Sequence, residues 1–433
     1  MERILEMAKK VSEQADVYYV TSDETPLQFE TNRLKHAQSK QSTIVGVRLV
    51  RNGRIGYSAG TSLDEGKSLV DMAAATAEFG MAANFEMPGV TDYPHIDIFD
   101  TAVESLPLET MAGQGDEAIA ILRKFNPELQ CDAWTSKGVV TVRIINSRGG
   151  HAEYKETYSN LAVSANLIRG TDMLFVGESE YSCHPVLSAK SIAGTVVNKL
   201  EMAVELAKVS TGTLPVIFTP DGVAGAFIPA LTAAFNGKLV LEGASPIGTK
   251  LGQQLFDDKL QLWDDPTLAY RPTSRPCDDE GVPSRKLPLI ESGRVANFYY
   301  DLQTAAMAGK TSTGHGNRGR GGLPVPSPTA LVMNSGKATL EEMIKDVKEG
   351  LVVDDLMGAD QGNVLGGDFA GNVLLGYKIE NGKIVGRVKD TMVSGNIYKL
   401  LKDIAAVGEA KWVGGGLFLP PLYFSAVSVA SKG

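Results

Sequence analysis

Hydrolytic or binding chemistry needs side chains that ligate, attack or move protons. In this 433-residue chain those are few. The histidines are His36, His95, His151, His184 and His315; no two have helical i, i+4 spacing, and none is followed by glutamate. The helical zinc-protease pattern H-E-x-x-H is therefore missing. Cys183-His184 is the one adjacent pair of strong ligand types. Neighbours on a strand point to opposite faces, so the pair reads as a buried thiol beside a polar imidazole. No G-x-S-x-G nucleophile turn occurs; Val393-Ser394-Gly395-Asn396 has half of one.

Two segments keep chemical interest. Arg275-Pro276-Cys277-Asp278-Asp279-Glu280-Gly281 sets three carboxylates in a row. Such a run grips a cation or a basic substrate, or it pairs with its own arginines, here Arg275 and Arg285. The second segment, 311–322, is rich in glycine and holds Gly314, His315, Gly316, Asn317, Arg318 and Arg320. It lacks the Gly-Lys-Ser/Thr of a phosphate loop. Its bare amides and guanidinium groups suit a carboxylate or a peptide backbone. A flexible surface loop is the equal alternative.

These segments need a scaffold, and the sequence outlines one. An amphipathic helix covers the first residues, with Ile4, Leu5, Ala8 and Val11 on one face. Strands are expected over 16–21, 26–32, 43–50 and 55–59, and an antiparallel meander over 131–182. Helices are expected over about 63–83, 108–125, 189–209 and 221–235, with shorter ones near 304–308, 340–349 and 398–404. Asn52-Gly53, Ser292-Gly293 and Asn381-Gly382 mark three tight hairpin turns. The expected class is α+β: an N-terminal α/β two-layer domain over 1–210, then a β-rich domain over 211–433, barrel-like or a sandwich.

Bulk properties narrow the partners. The net charge of −9 disfavours a phosphate backbone, so no nucleic acid is expected. Three separated cysteines fit a reducing compartment. No window approaches 18 consecutive apolar residues, so no membrane span is expected. A cytoplasmic protein is the expectation.

The run from Ser274 to Gly319 resembles the TldD/PmbA family, once called modulators of DNA gyrase. It contains Arg275-x-x-Asp278-Asp279-Glu280-Gly281, then Leu289-Ile290-Glu291-x-Gly293, then Thr311-x-Thr313-Gly314-x-Gly316. Leu251-Gly252-Gln253-Gln254, Asp265-Pro266, Gly366-Gly367-Asp368-Phe369, Val393-Ser394-Gly395-Asn396 and the Ser42–Gly60 segment extend the resemblance over nearly the whole chain. TldD-type members carry H-E-x-x-x-H on the helix that follows the strand opening the second domain, plus a cysteine near the C-terminus. Here Pro220, Asp221 and Gly225 stand at those positions, and Val413-Gly414-Gly415-Gly416 has no cysteine. Proline and glycine have no ligating side chain. The resemblance thus implies a metal-free TldE/PmbA-type subunit with no catalytic residue or metal ligand of its own. It would pair with a TldD-type metallopeptidase subunit that holds zinc, and the pair would act on unfolded peptides. The alternative is a homodimeric peptide-binding protein without peptidase activity. Candidates for the peptide path are Arg275, Asp278, Asp279, Glu280, Gly314, His315, Gly316, Asn317, Arg318 and Arg320.

Overall fold

The computed structural model describes residues 1–170 and 172–432. The N-terminal half is one antiparallel sheet. Its strands are β1 (Gln14–Glu30), β2 (Arg33–Ala37), β3 (Lys40–Arg51), β4 (Arg54–Gly60), β5 (Gln130–Asn146), β6 (His151–Arg169) and β7 (Asp172–Ser182). Their spatial order is β4-β3-β1-β5-β6-β7, with β2 also paired to β1. The helices are α1 (Glu2–Lys9), α2 (Gly66–Thr76), the single turn α3 (Thr101–Glu104), α4 (Leu108–Phe125) and α5 (Ala189–Met202).

Strand alternation decides what each face does. Odd residues of β1 face the helices: Ala15 and Val17 pack with α1 and α2, and Leu27 and Phe29 pack with α4. Even residues face the other way. Tyr18 and Val20 pack with Val142, Ile144 and Cys277, a residue of the second half. Helices thus cover one side of the sheet, and loops of the second half cover the other around Tyr18, Val142 and Ile144.

The second half is built on a closed barrel. β8 (Gly212–Phe218) runs parallel to Glu349–Met357 and antiparallel to Leu422–Ser431. Thr391–Asn396 joins Leu422–Ser431 to Asp368–Glu380, and that strand pairs back to Glu349–Met357, completing the ring. Of the two architectures expected here, this is the barrel. One face of its strands packs Phe218, Phe369 and Phe424 around Phe227, with ring centroids 5.2–6.0 Å apart. The opposite face (Ile217, Val352, Leu375, Tyr377) joins the core of α4 and α5. The hydrophobic core is therefore continuous between the halves.

All three expected hairpin turns form, each with two positive-φ residues: Asn52 and Gly53, Ser292 and Gly293, Asn381 and Gly382. The meander and α4 also lie where the residues place them. Other boundaries moved. The strands expected over 16–21 and 26–32 are one strand, β1. Its ladders to β3 and β5 run straight through Asp23 and Glu24. Pro26 is tolerated because β3 pairing ends at Glu24 and β2 pairing begins at Leu27. The helix expected over 63–83 is α2 flanked by short 3₁₀ turns, and α5 stops at Met202, short of 209. The helix expected over 221–235 is two helices, α6 (Pro220–Ala226) and Ile228–Phe235, because Pro229 cannot continue the ladder.

The glycine-rich loop lies directly on the sheet. A Cβ on Gly46 of β3 would sit 2.9 Å from the Gly321 carbonyl oxygen. Both atoms belong to backbone, so little can give way. Gly46→Val is expected to cost about 1–3 kcal/mol, read by thermal unfolding. Unchanged stability would contradict this close approach.

Candidate functional site

The acidic turn and the glycine-rich loop meet in the interior. Asp16 of β1 lies directly opposite Arg48 of β3. Arg48 forks between Asp16, at 2.6 Å, and Glu280. Arg318 reaches Asp16 at 2.7 Å and also donates to the Asp279 carbonyl at 2.9 Å. Asp279 accepts from the Arg318 amide at 2.8 Å and pairs with Arg275 at 3.3 Å. Asp278 accepts three backbone N–H groups, from Glu280, Val282 and Gly316. These charged side chains are all buried. Burial works against the Arg48 charge, but Asp16 and Glu280 more than offset it and hold its guanidinium well above the ordinary range. Burial pushes Glu280 up to about 7, against the pull of Arg48. It raises Asp278 as well.

Of the ten candidates, Arg275, Asp278, Asp279, Glu280, Gly314, His315, Gly316 and Arg318 are buried, Asn317 is half-buried and Arg320 is exposed. His315 joins a neighbouring group. Its Nδ1 lies 2.9 Å from the Thr313 hydroxyl, and its Nε2 lies 3.7 Å from Asp264. Burial opposes the Asp264 charge, yet His315 and Thr329 keep that carboxyl below its usual value. Arg285 does not pair with the carboxylate run; it donates to the Ser312 carbonyl at 2.9 Å. Cys183 and His184 lie in a bend just past the end of β7, not on a strand, and they do not share a site. The thiol is buried, and the imidazole lies 2.6 Å from Asp100.

The start of α6 carries a second charged cluster. Thr219 caps this helix, and its hydroxyl also donates to Asp354 at 2.8 Å. Lys199 of α5 points into the junction of α5, β7, α6 and the barrel. Its ammonium lies 3.0 Å from Asp354, 3.4 Å from Glu178 and 3.9 Å from Asp221. Lys411 adds a second ammonium, 2.9 Å from Asp221. Burial works against the Lys199 charge, but Asp354, Glu178 and Asp221 more than offset it and hold the amine above its ordinary range. Glu178 and Asp221 also border an open cleft of about 710 Å³, which Glu30, Asp132 and Trp134 line from the sheet.

Comparison with known proteins fits this architecture. Residues 211–431 match the model of the PmbA/TldA metallopeptidase C-terminal domain, and residues 15–78 match domain 1 of the same group. The class is metallopeptidase-like. The chain belongs to the PmbA/TldD family. An uncharacterized protein of Methanocaldococcus jannaschii is 28% identical over 95% of both chains. A "Metalloprotease PmbA homolog" of Haemophilus influenzae is 25% identical, covering 94% of this chain and 89% of its own. TldE of Thermococcus kodakarensis has the same fold, with a TM-score of 0.92 over 100% of both chains at 23% identity.

The family name implies a metal, so the donor set at the start of α6 matters. Pro220 and Gly225 offer no side-chain donor. The carboxylates nearby, Asp221, Glu178 and Asp354, already face the ammonium groups of Lys199 and Lys411. A divalent cation placed there would be repelled by two positive charges. Among the described residues, no three His, Cys, Asp or Glu side chains stand together in a way that would hold a metal ion. The described residues at the start of α6 do not fit the metal. No described helix is long and apolar enough to cross a membrane.

Reading the sequence missed Asp16, Arg48, Lys199, Glu178, Asp354 and Lys411. Arg48 had a local signal, being a charge inside the apolar run Val45–Val50. The lysine cluster had none, because its members come from five separate elements.

Proposed function

We propose that this chain is the metal-free subunit of a TldD/TldE-type metallopeptidase acting on unfolded peptides or small proteins. The observation that carries this reading is the start of α6. Where TldD-type members would place ligands and a base stand Pro220, Asp221 and Gly225, and Asp221 is held by lysine. Zinc and the general base would come from a TldD-type partner, in a heterodimer. On this reading residues 1–210 and 211–433 are the two units of the subunit, which works in the cytoplasm. Arg275, Asn317 and Arg320 would meet the peptide. Asp278, Asp279, Glu280, Gly314, His315, Gly316 and Arg318 would hold the shape of the path.

The test is metal content and peptidase activity of the pure chain, alone and mixed with a TldD-type protein from the same genome. Stoichiometric zinc and EDTA-sensitive cleavage are expected only in the mixture. Zinc-dependent cleavage by the lone chain would overturn the proposal. A stable homodimer that binds peptide and ignores the TldD-type protein would favour the stand-alone binding protein.

A further inference from the structure

A cavity of about 290 Å³ opens at the seam between the two halves. Ile55 and Phe85 of the first half and Leu241, Leu323 and Pro326 of the second form its apolar wall. Met81 and Met307 stand at its mouth, 57% and 55% exposed. Gln303 clips the two sides together. It donates to the Ala82 carbonyl at 2.9 Å and accepts from the Asn84 amide at 3.0 Å. The cavity is therefore formed without a ligand.

Five charged residues line this cavity, and one of them has no counterion. Arg48 is shared between Asp16 and Glu280. Glu280 also accepts from the Leu302 amide at 2.7 Å. Lys238 and Glu242 face each other at 4.0 Å, so their charges offset. Asp301 remains. Its Oδ1 accepts from the amide and the hydroxyl of Thr304, at 2.7 and 2.6 Å. Its Oδ2 has no hydrogen-bond partner and no ion pair among the described residues. Asp301 is only 2% exposed, yet Oδ2 is not sealed in protein; it keeps accessible surface, beside the cavity that Asp301 lines. Burial raises this carboxyl above its usual value, and Arg48 and Lys238 pull it back only in part. A bare carboxylate oxygen at an apolar cavity is unfavourable until a cation or a donor reaches it.

We infer that this cavity binds a small primary amine with an apolar body. The ammonium pairs with Asp301 Oδ2, and the body fills the space between Phe85, Leu241 and Leu323. A ring on a short chain fits, since a cavity of about half this volume takes up benzene. Met81 and Met307 at the mouth are flexible thioethers that adapt to the shape of the ligand. An anion is repelled by Asp301, and a neutral apolar molecule leaves Oδ2 unpaired. The inference does not rest on the peptidase reading.

The experiment is ligand-observed NMR titration of the full chain with 2-phenylethylamine, its neutral isostere 2-phenylethanol, and phenylacetate. The amine is expected to bind, and the alcohol to bind at least about tenfold more weakly, one charge-assisted contact being worth that much. Phenylacetate should be weaker than the alcohol. Asp301→Asn keeps an Oδ1 that accepts from Thr304, so the variant should fold, which thermal unfolding checks. It should bring the amine down to the affinity of the alcohol and leave the alcohol unchanged. Met307→Trp narrows the exposed mouth without touching Asp301, so it should weaken amine and alcohol alike. No binding of the amine, equal binding of amine and alcohol by the wild-type chain, or a preference for phenylacetate would overturn the inference. So would an Asp301→Asn chain that still prefers the amine, or undiminished binding in Met307→Trp. None of these outcomes involves zinc or a TldD-type partner, so this test and that of the proposed function fail separately.

Discussion

Replacing Lys199 with methionine should cost about 3–5 kcal/mol of stability, the usual penalty for removing one partner of a buried ion pair. Methionine fills much of the same volume, so the loss would be electrostatic. Without the ammonium, Glu178, Asp221 and Asp354 face one another with Lys411 as their remaining cation. Lys411 is 42% exposed on its side chain and does not ion-pair with Asp354, so it screens poorly. The variant can relieve the repulsion by taking up protons. Its carboxylates would then titrate higher in the folded state than in the unfolded chain. A raised acid contributes stability that is present below its unfolded pKa and is lost as pH rises through its folded one. The gap between wild type and variant should therefore be small near pH 5 and largest near pH 8. Denaturant unfolding at the two pH values reads this directly. A gap independent of pH would mean that lost packing, not lost charge, explains the effect.

The lysine cluster also shows what the sequence could and could not reveal. The positions 220, 221 and 225 stood out by resemblance, and proline and glycine made the lack of ligands legible from residue type alone. That lysines occupy the neighbouring carboxylates was not legible. Lys199, Glu178, Asp354 and Lys411 lie on four different elements and show no shared spacing. Features set within a few residues fared better. Asn-Gly and Ser-Gly pairs give positive φ locally, so the hairpin turns came out as expected. The 18 residues of α4 carry their own apolar period and a proline stop. What failed was decided at long range. Two partner strands fuse β1 across Asp23, which no local propensity signals. The carboxylates of 278–280 were legible as a charged run, but their burial was not. Glu280 is held by Arg48, 232 residues away, and Arg318 of the neighbouring loop is held by Asp16, 302 residues away, both on one face of a sheet whose register only the fold reveals.

The other large effect should come from Arg48. Arg48→Met is expected to lower stability by about 3–5 kcal/mol, because it removes the cation shared by Asp16 and Glu280. Glu280 can respond by holding its proton, since burial already brings it to about 7. Asp16 retains Arg318. Removing the Asp16 charge as well should cost less than it does in the wild-type chain, because one of its two cations is already gone and Arg318 is the one it still loses. The double variant Asp16→Asn, Arg48→Met is expected to lose less than the sum of the two single variants, with a coupling of about 1–3 kcal/mol. Arg48→Lys should recover only part of the loss, because an ammonium cannot fork between two carboxylates on different elements as a planar guanidinium does. Denaturant unfolding of the four proteins in the cycle, plus the lysine variant, measures each of these terms. Additive losses, or full rescue by lysine, would show that Arg48 acts through packing against Phe85, whose ring centroid lies 4.7 Å away, and not as the charge that ties the sheet to the acidic turn.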